Sequence, residues 1–136
     1  MNAILADINI TGQVRDLVET FYKSAAWIDF WDSLQIQSFT FAQVGLAADS
    51  PDDQVWRMCQ ARGWVLITGN RNQDGPTSLE TTLRTLLKPD SLPVITISRS
   101  RSLGKRSDYT AAVGIQLLDY LLNIEKFLGT GRLFVP

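Results

Sequence analysis

The sequence predicts one α/β domain over residues 1–136, with a mainly parallel sheet flanked by helices. Short apolar runs alternate along the chain with stretches whose apolar residues recur at helical spacing. These runs are almost wholly apolar, which is typical of parallel strands that helices cover on both faces. No internal repeat and no long linker divides the chain, and its length suits a single core.

The first half of the chain predicts two strands separated by two helices, and a third helix after the second strand. The first strand covers Ile4–Ile8, and an amphipathic helix begins at Thr11-Gly12. Residues 26–48 predict a short helix with Trp27 and Trp31 on one face, and then a strand from position 36 to 44. A helix follows with Ser50 as its N-cap, Pro51 at its first position and Gly63 just past its end.

The second half continues the alternation. A buried strand is predicted at Trp64–Thr68, and Thr77–Glu80 reads as a capping box that opens a helix ending before Pro89. Residues 93–98 predict a β-branched strand, and a basic loop follows over 99–106. The last helix is predicted from Ser107 to Leu128, with a final strand at Leu133–Val135.

Composition excludes several kinds of chemistry. The chain has no histidine, which excludes a Ser-His-Asp triad and an imidazole-bound zinc site, so a bound metal would need oxygen ligands and would be Mg²⁺ or Mn²⁺. The net charge of −1 gives no overall attraction to nucleic acid. One cysteine, no secretory signal and no apolar run long enough for a bilayer predict a cytoplasmic protein that does not bind membranes.

Polar residues follow the predicted strands. In a parallel sheet these positions lie at the carboxyl edge, where binding and catalytic sites are usually found. Two acids, Asp52 and Asp53, open a helix that we expect at the same edge. The other candidates follow strands: Asp7, Asn9, Asn70, Asn72, Asp74, Arg99 and Arg101. Each also has a plainer interpretation, because acids suit a helix N-terminus, Asn is a common turn former and basic loops are usually solvated.

Three segments together resemble the PIN-like family, especially its short bacterial branch. Residues 5–10 read LADINI, where that branch typically has Leu-Leu-Asp-Glu-Asn-Leu. Residues 50–55 read SPDDQV, similar to its helix that opens Ser-Asp-Glu-Glu. Residues 64–72 read WVLITGNRN, similar to its strand followed by two acids at alternate positions. The order and spacing agree over roughly the first half of the chain, and the second half agrees in pattern only.

The resemblance implies a three-layer sandwich and a metal-dependent ribonuclease, often the toxin of a toxin–antitoxin pair. It implies that Asp7, Asp52, Asp53 and Asp74 hold Mg²⁺ or Mn²⁺ and carry catalysis. Asn9, Asn70 and Asn72 would then position water or phosphate, and Arg99 and Arg101 would contact RNA. Because Asn70 and Asn72 replace two acids, we expect at most one weakly held ion, and RNA or phosphate binding with weak or no cleavage.

Two alternatives stay open. The chain could be a non-catalytic interaction module that forms a homodimer or binds a cognate protein through Trp27–Trp31. It could also be an unrelated α/β domain with a flavodoxin-like layout, in which the Asp and Asn residues only form turns.

Overall fold

The structure is a computed structural model that describes residues 1–69, 75, 77–103 and 105–136. Its strands are β1 (Ala3–Ala6), β2 (Gln37–Phe39), β3 (Trp64–Thr68), β4 (Val94–Ile97) and β5 (Arg132–Val135). Its helices are α1 (Thr11–Lys23), α2 (Ile28–Leu34), α3 (Phe41–Val44), α4 (Asp52–Arg62), α5 (Leu79–Leu86) and α6 (Ser107–Leu122). Short 3₁₀ turns lie at Ile8–Ile10, Ser100–Ser102 and Ile124–Phe127.

The five strands form one sheet in the order β2-β1-β3-β4-β5, and every neighbouring pair is parallel. The predicted α/β architecture with a parallel central sheet is therefore confirmed. This strand order is the doubly wound, flavodoxin-like one, which is the layout of the second alternative above. The chain places β2 on one side of β1 and β3 to β5 on the other, so the strand order reverses between β1 and β3. Folds of this kind bind ligands at the carboxyl ends of the strands beside that reversal.

Helices cover both faces of the sheet and make three layers. Successive side chains of β1 alternate between the faces, so Ile4 and Ala6 pack with α1, α2 and α6, whereas Ala3 and Leu5 pack with α3, α4 and α5. The central strands are buried on both sides, which explains why they read as continuous apolar runs rather than as alternating ones.

The segment 26–48 differs from the prediction in its second part. The short helix is present as α2, but the strand stops at Phe39 and the chain turns into α3. Thr40 caps α3 through a complete capping box with Gln43. That Thr-x-x-Gln pattern stands in the sequence, and it outweighs the apolar spacing of residues 36–44 because it satisfies the free N–H groups of the turn.

Two predicted helix starts are shifted by one residue. Pro51, not Ser50, is the N-cap of α4, and the Ser50 hydroxyl donates to the Ala47 carbonyl instead. Ser78, not Thr77, caps α5 by accepting from the Thr81 N–H. The prediction for the last helix was also too long, because α6 ends at Leu122 and a 3₁₀ turn follows.

Glu80 has a different partner from the one that a capping box predicts. Its Oε1 lies 2.8 Å from Nε and 2.7 Å from Nη2 of Arg132, whose side chain is only 8% exposed. The Arg132 guanidinium also donates to the Thr96 hydroxyl on β4. The ion pair therefore ties α5 to the first residue of the edge strand β5.

Within the described residues, no helix combines the length and the apolar character that crossing a bilayer requires.

Candidate functional site

Asp7 lies at the reversal of strand order, directly after β1. The residue is 9% exposed, and both carboxylate oxygens accept hydrogen bonds from neighbouring groups. Oδ1 accepts from the Ile8 N–H at 2.8 Å, and Oδ2 accepts from the Thr68 hydroxyl at 2.7 Å. The Asp7 N–H donates to the Ile67 carbonyl at 2.9 Å, which extends the pairing of β1 with β3 by one residue. The aspartate therefore joins the ends of the two central strands.

The loops after β1, β3 and β4 meet beside Asp7. A Cβ atom added to Gly69 would lie 2.8 Å from the Ser100 Oγ and 3.1 Å from the Ile10 Cγ2. Only glycine allows the three chain segments to approach so closely at this point. The predicted convergence of the first strand end, the central strand end and the basic loop is thus present among the described residues.

A cavity of about 380 Å³ opens between the first turn of α1 and the basic loop. Gly12, Gln13 and Asp16 of α1 line one side, and Arg101, Leu103 and Lys105 of the loop line the other. The first turn of α1 holds no acidic residue and its N-cap makes no side-chain hydrogen bond, whereas the 3₁₀ turn that leads into α1 is capped by Asp7. Two cations and a helix N-terminus face this cavity, against one carboxylate.

Hydrogen bonds fix one wall of the cavity to the end of β1 and the other wall to α6. The Thr11 hydroxyl donates to the carbonyls of Asp7 and Ile8, at 3.2 and 3.3 Å, which holds the start of α1 beside the end of β1. On the other wall, the Arg99 N–H donates to the Tyr109 hydroxyl at 2.7 Å and Leu103 is buried. The exposed guanidinium of Arg101 therefore projects from an anchored loop.

Asp52 and Asp53 occupy the first turn of α4, where they oppose the positive end of the helix dipole. Asp52 Oδ2 accepts from the Leu79 N–H at 3.2 Å and so satisfies a free donor at the start of α5. This gives Asp52 a structural role that links α4 with α5. Asp53 is half-buried, and Asn9 is exposed in the turn after Asp7.

The predicted metal ligands can be compared with this geometry only in part. Asp74, Asn70 and Asn72 lie outside the described residues. Within residues 1–69, 75, 77–103 and 105–136, no group of three acids or cysteines is placed to hold an ion. The oxygens of Asp7 and the Oδ2 of Asp52 accept hydrogen bonds from their own neighbours. The described acids therefore do not fit a metal centre by themselves.

The hydrogen bond between Asp7 and Thr68 was not predicted from the sequence, because it depends on the register of β1 against β3. Ala6 pairs with Ile67, so the next residues, Asp7 and Thr68, stand side by side. Aligning the two apolar runs by their last residue would have found this pair. Lys105 lies in the predicted basic loop over 99–106 but is not among the predicted RNA contacts, and it lines the cavity, whereas Arg99 does not.

Comparisons with protein-family models, with curated proteins and with solved structures gave no match to this chain. What the fold and the site define is a class: a doubly wound α/β domain whose candidate site lies at the reversal between β1 and β3.

Proposed function

We propose that the carboxyl edge of the sheet binds a phosphate-bearing ligand, with single-stranded RNA as the leading candidate, and that cleavage there is weak or absent. The observation that carries the proposal is the cavity in which the N-terminus of α1 faces Arg101 and Lys105. Backbone N–H groups at a helix start, together with flexible cations, are the usual ligands of phosphate oxygens in proteins.

The chemistry of the site favours binding over hydrolysis. A nuclease of the PIN-like type needs several carboxylates that are free to neutralise a metal ion and to activate water. Here the Asp7 carboxylate is held by Ile8 and Thr68, and Asp52 is held by Leu79. Phosphate binding, in contrast, needs only cations and N–H donors, and Arg101, Lys105 and residues of the first turn of α1 line the cavity.

The binding test measures fluorescence anisotropy of a labelled oligouridine with the wild type and with the Arg101→Ala/Lys105→Ala double variant. We expect the double variant to bind more weakly and to show a shallower salt dependence, by about 0.7 in the log–log slope for each phosphate that is no longer neutralised. Lys126→Ala is the matched control. Lys126 is an exposed cation in the 3₁₀ turn that precedes β5, so it lies away from the carboxyl ends of the strands. Equal affinities of the double variant and the control would refute the proposed site.

A cleavage assay with Mn²⁺ separates binding from catalysis. The wild type and Asp7→Asn are incubated with unstructured RNA under conditions in which both bind it. Faster cleavage by the wild type would make Asp7 part of an active site, whereas equal cleavage, or none by either protein, removes the enzyme claim and leaves a binding function.

A further inference from the structure

The outward face of α6 carries large apolar side chains far from the candidate site. Ile115 is 57% exposed and Leu122 is 43% exposed, and Phe30 on the neighbouring helix α2 is 53% exposed. The opposite side of α6 is already buried in the core through Val113, Leu117 and Leu121. A helix that is apolar on both sides is typical of one whose outer face is also covered.

These side chains border a furrow between α2 and α6. One cavity of about 220 Å³ is lined by Trp27 and Phe30 on one side and by Ile115, Leu118, Asp119 and Leu122 on the other. A second cavity of about 460 Å³ shares Leu122 and continues past Leu34 to Lys126. At 1.5 Å per residue, the stretch from Ile115 to Leu122 is about 10 Å long, which is two turns of a docked helix.

The floor of the furrow is packed and not loose. The Trp27 ring meets Phe21 edge-on at a centroid distance of 5.5 Å. A Cβ atom added to Gly114 would lie 2.9 Å from two atoms of the Trp27 ring, so glycine lets the indole lie directly against the backbone of α6. Trp31 is buried beneath α2, which leaves Phe30 as the exposed aromatic residue of that helix.

The charge of the two helices indicates what covers them. Neither α2 nor α6 contains a lysine or an arginine, and all four of their charged residues are acidic. These are Asp29, Asp32, Asp108 and Asp119. Asp108 pairs with Arg106 at 3.1 Å, and Glu125 and Lys126, which both line the second cavity, offset each other, so Asp29, Asp32 and Asp119 leave the surface acidic. Two copies of this surface brought together would oppose acid to acid, which disfavours a second copy of the chain as the occupant.

We propose that the furrow between α2 and α6 binds an amphipathic helix of a partner protein, with an apolar stripe flanked by Lys or Arg. The apolar stripe fills the cavities beside Ile115 and Leu122, and the flanking cations meet Asp29 and Asp119. This is the helix-in-groove mode of recognition, in which anchors recur at i, i+3 or i+4 and i+7. The inference does not depend on the phosphate site.

The test uses two synthetic helical peptides of the same apolar pattern, one with Lys and one with Glu at every polar position. Binding to the full chain is measured by anisotropy of labelled peptide. We expect the Lys peptide to bind at least about tenfold more tightly than the Glu peptide, and Ile115→Ser to weaken the Lys peptide by about tenfold or more. Phe134→Ser is the matched control, because Phe134 is a 45% exposed apolar residue on β5.

Charge reversal and the oligomeric state complete the test. Asp29→Lys/Asp119→Lys should reverse the preference between the two peptides. Failure of the Lys peptide to bind, or equal losses from Ile115→Ser and Phe134→Ser, would overturn the proposal. A wild-type dimer in sedimentation velocity that Ile115→Ser dissociates would also overturn it, because the occupant would then be a second copy.

Discussion

Replacing Asp7 separates a structural role of this carboxylate from a functional one. The side chain caps the turn at Ile8–Ile10 through Oδ1 and holds the Thr68 hydroxyl through Oδ2. Asp7→Ala removes both hydrogen bonds. Asp7→Asn keeps an oxygen for the Ile8 N–H and an amide that can donate to the Thr68 oxygen, but it removes the charge.

The size of the effect follows from these two bonds. Loss of a capping side chain costs about 0.5–2 kcal/mol, and loss of a hydrogen bond to a charged group costs about 1.5–3 kcal/mol. The two losses share one side chain and do not simply add. We therefore expect Asp7→Ala to lower the free energy of unfolding by about 2–4 kcal/mol, and Asp7→Asn by about 1 kcal/mol.

Urea unfolding followed by tryptophan fluorescence measures both values by linear extrapolation. Asp49→Ala is the control, since Asp49 is exposed before α4 and its loss should change stability by less than about 0.5 kcal/mol. If Asp7→Ala matches this control, the carboxylate does not join β1 to β3 as argued. If Asp7→Ala is more stable than the wild type, Asp7 is held at the expense of stability, as groups kept for a ligand often are.

Three further predictions concern other parts of the fold. Glu80→Ala removes the carboxylate that pairs with the buried Arg132 guanidinium and should destabilise the protein by about 3 kcal/mol. Glu80→Gln should destabilise it less. Equal stability of Glu80→Ala and the wild type in urea unfolding would contradict this. Gly114→Ala should lower the free energy of unfolding by about 1 kcal/mol and shift Trp27 fluorescence, because the clash of the added methyl group with the indole exceeds the gain in helix propensity. A variant more stable than the wild type would contradict this prediction. Burial, with a smaller contribution from a nearby carboxylate, raises the pKa of Cys59 from 9.0 to about 12. The contribution of this thiol to stability should therefore be constant below pH 9 and fall as the pH rises from 9 towards 12. Cys59→Val should lose less stability than the wild type over that range, and parallel pH profiles of the two proteins would refute the cause.

The parts of the fold that were predictable are those in which one physical requirement dominates. The central strands had to be apolar on both faces, so β1, β3 and β4 stand in the sequence as continuous apolar runs. The positions of caps were harder to predict, because Ser50 and Ser78 are equally good N-caps in isolation. Only Ser78 acts as a cap, because the Ser50 hydroxyl donates to the Ala47 carbonyl in the preceding turn.

The candidate site was predictable as an edge of the sheet but not as a set of contacts. Parallel strands bring Asp7 and the basic loop to one edge whatever their order. The bond from Thr68 to Asp7 depends on the register of β1 against β3, and the approach of Ser100 to Gly69 depends on how a loop folds back. Neither is encoded in a local pattern, so each required the structure.

Charge is segregated on this molecule in a way that its net value of −1 conceals. Four of the 13 basic residues fall within residues 99–106 at the carboxyl edge, and the helices α2 and α6 hold acids alone. The phosphate ligand proposed for the edge would be repelled by the furrow, and the basic helix proposed for the furrow would be repelled by the loop. Because each surface disfavours the ligand of the other, RNA and the Lys peptide should bind together, with neither displacing the other when one is titrated into the preformed complex. Displacement beyond that caused by direct binding of the Lys peptide to RNA, measured without the protein, would mean that both ligands use one surface, and the assignment of the two sites would then be wrong.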